Sequence, residues 1–271
     1  MFIVRKFIIA AVLVFTGTTL AFAHLPVARP DRFSVAVGEK IEVKTGLAEP
    51  LIKYAYSVEN LLKLGYAGGK AVMTGSVRYA DGSVFPIAFS PARTPDPTFD
   101  EASVEIGKPG TAVVSFQFDF NSGTRPTVAY GKTLINWSAD KSATERLNGG
   151  EALEVVQASD TGPVSSGQEI AVQLLLRGTP LSNASITATY DGAPLPPNPK
   201  AGEESDNEYL HETTDASGRA TFTLDRPGIW VIGSEYVDAG AERNRPEYDK
   251  ERYPEWKGIR YRATLVFEVK K

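Results

Sequence analysis

Apolar and polar residues alternate along four long stretches: FSVAVGEKIEVKTG (33–46), AVMTGSVRYADGSVFPIAF (71–89), SVEIGKPGTAVVSFQFDF (103–120) and EIAVQLLLRGTPLSNASITATYDG (169–192). A period of two sends successive side chains to opposite faces, so each stretch reads as one or more strands with a buried face. Turns of Gly, Pro and Asp interrupt them, and DGS at 81–83 and KPG at 108–110 predict hairpins. Only EPLIKYAYSVENLLKLG (49–65) spaces its apolar residues in a way that suits a helix. The pattern predicts an all-β protein with little helix, built as two antiparallel β-sandwich domains of the immunoglobulin-like or transthyretin-like kind. The break falls in RLNGGEALEVVQASDTGPVSSGQ (146–168), rich in Gly, Ser and polar residues. It separates an N-terminal β domain, 24–150, from a C-terminal β-sandwich domain, 151–271, which has room for about seven strands. DGAPLPPNPKAGEESDNE (191–208), proline-rich and then acidic, reads as a long exposed loop.

Residues 1–23 follow another pattern. Arg5 and Lys6 precede an apolar run from Phe7 to Phe15, and Ala21 and Ala23 stand where a signal peptidase requires small residues. The run is shorter than the ~20 residues of a membrane-spanning helix, so this segment reads as a cleaved secretory signal peptide. Cleavage after Ala23 makes His24 the first residue of the mature chain, and the expected location is periplasmic.

Composition narrows the chemistry. The sequence has no cysteine, which excludes disulfides, thiolate metal sites and cysteine nucleophiles. Without the signal, 27 basic residues face 33 acidic ones, a net charge of −6. That balance argues against nucleic acid as a partner, because affinity there comes mostly from basic residues neutralising phosphates.

The most informative stretch pairs GTPLSNASITATYDG (178–192) with TTDASGRATFTLDRPGIWVIGSEYVD (213–238). It predicts an Asp-x-x-Gly turn from Asp215 to Gly218, a strand from Ala220 to Leu224, a Pro-Gly turn at 227–228 and a strand from Ile229 to Tyr236. Together with Ala23-His24 at the mature start and YGKTLINWS (130–138), this pattern resembles the domain of unknown function 4198 family (DUF4198). Members of that family include periplasmic accessory components of nickel or cobalt uptake transporters of the energy-coupling-factor type. The resemblance implies a non-catalytic metal-binding role, with Ni²⁺ or Co²⁺ as the ion and a membrane transporter as partner.

An N-terminal histidine suits that role. Its α-amine and ring Nδ1 close a six-membered chelate, and in unperturbed form they titrate near ~8 and ~6.5, so a metal displaces few protons at neutral pH. Nitrogen ligands favour Ni²⁺, Cu²⁺ and Zn²⁺ over Mg²⁺ and Ca²⁺, with Cu²⁺ intrinsically tightest, which keeps a copper carrier open as an alternative. His211, in DNEYLHETT (206–214), is the other imidazole, with Asp206, Glu208 and Glu212 close in sequence as oxygen donors. In an alternating strand His211 shares a face with Tyr209 and Thr213, while Leu210 and Glu212 point the other way. The expected metal ligands are therefore His24 and His211.

Two other readings stand beside this one. NRPEYDKERYPEWKGIRYRATLVFEV (244–269) interleaves Tyr248, Tyr253, Trp256 and Tyr261 with charges, a mixture found on surfaces that recognise carbohydrate or a partner protein. The alternative is then a non-catalytic recognition module. A copper oxygenase with a histidine brace is the enzymatic alternative. No nucleophile elbow, phosphate-binding loop or assignable carboxylate pair is present.

Overall fold

The computed structural model describes residues 25–49, 53–56, 72–93, 98–122, 125–138, 147–158, 162–193, 209–240 and 258–271. These hold seventeen strands and no helix. The first half runs β1 (Leu25–Pro30), β2 (Lys40–Glu49), β3 (Lys53–Tyr56), β4 (Val72–Tyr79), β5 (Val84–Ile87), β6 (Ser90–Pro91), β7 (Asp100–Glu105), β8 (Ala112–Ser122) and β9 (Arg125–Ile135). The second runs β10 (Leu153–Gln157), β11 (Glu169–Leu176), β12 (Thr179–Pro180), β13 (Ser185–Tyr190), β14 (Leu210–Thr213), β15 (Arg219–Thr223), β16 (Gly228–Asp238) and β17 (Ile259–Val269).

An eight-stranded sheet in the order β14-β13-β16-β17-β9-β8-β4-β5 runs through both halves. Its pairings are antiparallel except one: β17 lies parallel to β9, with Tyr261 opposite Val128 and Leu265 opposite Lys132. Two smaller sheets flank it. One holds β1, β2, β3, β6 and β7, and the other β10, β11, β12 and β15.

The parity of β9 shows that they lie on opposite faces. Ala129 and Ile135 join Phe116, Phe118, Ile41 and Val43 in one core. Val128, Tyr130 and Leu134 join Trp230, Phe222 and Leu174 in the other. Each half is thus a sandwich, and the halves share their central layer back to back. A strand covered on both faces needs apolar residues at both parities, which is why VAYGKTLI loses its alternation.

Three local expectations change. KPG at 108–110 is not a hairpin: β7 pairs with β2 and β8 with β4 and β9, so this turn carries the chain between sheets. The helical spacing at 49–65 gives way to sheet where it is described, since Lys53–Tyr56 pairs with β2. The first alternating stretch becomes a strand only from Lys40. Before it the chain is tied to the end of β9, where Asn136 Oδ1 accepts from Val35 N at 2.8 Å and Asn136 N donates to the Phe33 carbonyl. The DGS hairpin forms as expected between β4 and β5, with Asp81 accepting from Ser83 N at 2.9 Å.

Two contacts beyond the shared sheet join the halves. On one face β1 lies against the second half: Leu25, Val27, Phe33 and Ala48 form an apolar cluster with Val231 and Val266. The Thr264 hydroxyl donates to the Pro26 carbonyl, and Arg29 pairs with Asp191 at 2.8 Å. On the other face Val128, Tyr130 and Leu134 of β9 pack into the second core, and an ionic cluster sits beside them. Lys132 of β9 places its ammonium 2.6 Å from Glu154 Oε1 on β10 and 3.6 Å from Glu151 Oε2. The three side chains are only 4%, 1% and 14% exposed, taken in the order Lys132, Glu154, Glu151.

Candidate functional site

β14 ends the eight-stranded sheet, and all four of its residues are exposed. Its register is Thr187 opposite His211 and Glu212 opposite Ile186. Thr187 in turn lies opposite Gly233 of β16, so His211, Thr187 and Gly233 form one row across three strands. Directly opposed residues share a face. Ile186, Ala188 and Ile232 point into the core of the second sandwich, so the row points to the reverse face, the one on which β1 lies.

Tyr209 shares that face, its ring centroid 6.2 Å from that of His211. Glu212 lies on the opposite side and is no ligand for an ion held by His211. Asp206 and Glu208 are outside the described residues, as is His24.

Leu25, which follows His24 directly, is described. Its Cδ2 lies 3.3 Å from where a side chain on Gly233 would begin, so the absence of a Cβ there lets β1 settle onto the sheet. The start of β1 therefore rests on the row that ends in His211, two strand spacings or about 10 Å away. One step along the same face stands Glu235, 6% exposed, its carboxylate 2.7 Å from Arg262 Nε and 3.3 Å from Arg260 Nε. Two guanidinium groups hold this carboxylate in an ion-pair cluster. Among the described residues no group of three or more His, Asp or Glu side chains is arranged to hold a metal ion.

The turn that carried the resemblance forms as read. Asp215 Oδ1 accepts from Ser217 N at 2.8 Å and Arg219 N at 2.9 Å, and Gly218 takes φ +73°. The Arg219 amide, then the Ser217 hydroxyl and amide, hold the Asp215 carboxyl below its ordinary range. A family model described as "Domain of unknown function (DUF4198)" matches residues 21–238. The chain belongs to the DUF4198 family. No curated protein sequence matches this DUF4198 member.

Among solved structures it is similar to the D0-D1 domain of intimin at 16% identity, covering 89% of this chain and 96% of that one, with a TM-score of 0.25. A DUF4785 family protein from Legionella pneumophila shares 10% identity over 76% of this chain and 50% of that one, with a TM-score of 0.29. The type II cohesin dyad of the scaffoldin ScaA of Acetivibrio cellulolyticus shares 10% over 91% and 98%, with a TM-score of 0.28. Likeness at this level carries no argument about site or function.

The aromatic segment 244–269 divides. Tyr248, Tyr253 and Trp256 are outside the described residues. Tyr261 does not belong to a recognition surface: it is buried in the second core, with the Arg177 guanidinium 5.8 Å from its ring centre. The sequence reading also passed over a groove of about 460 Å³ in the first sandwich, lined by Val77, Tyr79, Phe85, Ile87, Val104 and Lys108. Phe85 stands 49% exposed at its rim, and Lys108 lies 5.6 Å from the Phe85 ring centre while bonded to Asp81 at 2.5 Å. The alternation in SVFPIAF marks the strand without marking which of its apolar residues stays uncovered.

Proposed function

We propose that this DUF4198 protein is an exported, non-catalytic carrier of a divalent transition metal. The amine and ring of His24, freed by cleavage after Ala23, form the chelate, and His211 supplies a third nitrogen. In this reading the protein works in the periplasm and presents Ni²⁺ or Co²⁺ to a membrane uptake transporter. The observation that carries it is the position of Leu25: one Cα step of ~3.8 Å from His24, it packs on Gly233, in the row and on the face of His211. That separation is one which two histidine side chains meeting at a single ion can cover. Nitrogen donors fit Ni²⁺, Co²⁺ and Cu²⁺, and the affinity order leaves a copper carrier as the variant of this reading that differs only in cargo. Both donors must lose protons to bind, so affinity falls as pH drops through the amine and imidazole ranges, ~8 and ~6.5.

Intact mass of the exported protein, followed by titration with Ni²⁺ and Cu²⁺, tests the reading. The expected result is a mature start at His24 and about one tightly bound ion per chain. His24→Ala should then weaken binding by at least ~100-fold and His211→Ala by ~10-fold, in line with losing a chelate and a single donor. A start at another residue, or unchanged affinity in His24→Ala, overturns it.

Half-exposed Phe85 above its groove favours a second reading, a recognition module for carbohydrate or a partner protein. Saturable binding to a sugar array that Phe85→Ala abolishes, with no metal bound, would select it.

A further inference from the structure

Lys132, Glu154 and Glu151 bury two carboxyl groups around one ammonium. With both carboxylates ionised the cluster would carry a net negative charge against a single ammonium in the interior, which is costly. The hydrogen bonds point the same way. Glu154 is well served: it accepts from Lys132 Nζ at 2.6 Å, from Gly149 N at 2.6 Å and from Gly150 N at 3.2 Å. Glu151 Oε2 is buried and finds no donor, the ammonium being 3.6 Å away. An ionised Glu151 would leave that oxygen unsatisfied, whereas a protonated one becomes a donor to the Glu154 carboxylate beside it.

We propose that this triad is a one-proton clasp between the two halves, in which Glu151 stays protonated and donates to the Glu154 carboxylate. Burial, then the neighbouring Glu154 carboxylate, raises the Glu151 carboxyl, against the pull of Lys132. Burial also pushes Glu154 up, but the Lys132 ammonium and the hydrogen bonds it receives outweigh this and leave it lowered. On the face turned to this core, β9 also carries Tyr130, β17 Tyr261 and β16 Tyr236. Arg177 is also near: its amide donates to the Ala152 carbonyl, and its guanidinium pairs with Asp238. Deprotonation of Glu151 sets two buried carboxylates against each other where β9 meets β10, so the clasp loosens as pH rises.

The sign of the pH dependence follows from the raised carboxyl. Glu151 contributes stability that is fully present below its unfolded value of 4.5 and is lost as pH climbs through its folded value. Between those two values the unfolding equilibrium constant of the wild type should rise up to ~10-fold per pH unit relative to Glu151→Gln, and the ratio should level off above them. Denaturant titrations of both proteins from about pH 4 to about pH 9 give that ratio. The infrared spectrum of the wild type adds a readout that needs no variant to fold: a carboxylic-acid carbonyl band should persist above pH ~6, where exposed carboxyls are ionised. A constant ratio, or a wild-type spectrum without the band, overturns the proposal.

Discussion

The two halves are joined on opposite faces of one sheet, and only one of the two joins buries a cluster of charges. On the first face Leu25, Val27, Phe33 and Ala48 meet Val231 and Val266, and removing that area from water contributes in proportion to the area buried, with the Arg29–Asp191 pair partly exposed beside it. On the second face Val128, Tyr130 and Leu134 enter the second core, but the join also encloses Lys132 with Glu154 and Glu151. Burying such charges costs about as much as their attraction returns. The difference teaches that attachment strength and attachment control reside in different places: the apolar contact holds over a wide pH range, while the ionic one depends on a proton.

Mutations separate the two contacts. The largest loss is expected from Lys132→Ala, which strands the buried Glu154 carboxylate beside a protonated Glu151; unfolding in urea should show about 3–5 kcal/mol of destabilisation, eased in acid as Glu154 protonates. Leu25→Ala opens a cavity in the apolar contact and should cost about 2–3 kcal/mol. That loss should be the same at every pH, and a loss that varied with pH would remove the contrast. Gly233→Val adds a side chain whose Cβ meets Leu25 Cδ2 at 3.3 Å and Thr264 Cγ2 at 3.1 Å. It should cost about 1–3 kcal/mol by overpacking and weaken nickel binding by lifting β1, detectable by calorimetry. The smallest effect falls on Asp215→Ala, whose side chain is exposed and closes its own turn. Because the Asp215 carboxyl is held low, its contribution is present above the ordinary value of 3.8 and is lost in acid. The small drop in melting temperature should therefore vanish at low pH.

Alternation reveals which face of a strand is buried and says little about which strand lies next to it. The strand from Ala220 to Leu224 was legible, and its alternation puts Ala220, Phe222 and Leu224 in the second core. The parity of Tyr209, His211 and Glu212 was legible too. The parallel contact of β17 with β9 was not, because its two strands lie some 130 residues apart in register, Arg260 opposite Thr127. Tyr261 misled for a related reason: beside Arg260 and Arg262 it looks like part of an exposed charged stretch, yet its parity sends it inward. Lys132 and Glu154 were passed over because a lone charge in a strand ordinarily marks the solvent face, and here that face is covered by the other half. For the proposed site, His24 and His211 are 187 positions apart in sequence, and what the register of β13, β14 and β16 with the seat of β1 brings near the His211 row is Leu25.

The parallel pairing also fixes an order of events. β9 is complete by Ile135, but its neighbour, Ile259–Val269, follows more than 120 residues later and is the last of the described strands. Until that strand has been synthesised and delivered, β9 carries an open row of amide and carbonyl groups, and such a row is a template for mispairing. Closing it requires a contact of high sequence separation, the kind that slows folding most. The first half cannot finish ahead of the second, and a chain interrupted shortly before Ile259 would leave both sandwiches with an unfinished middle layer.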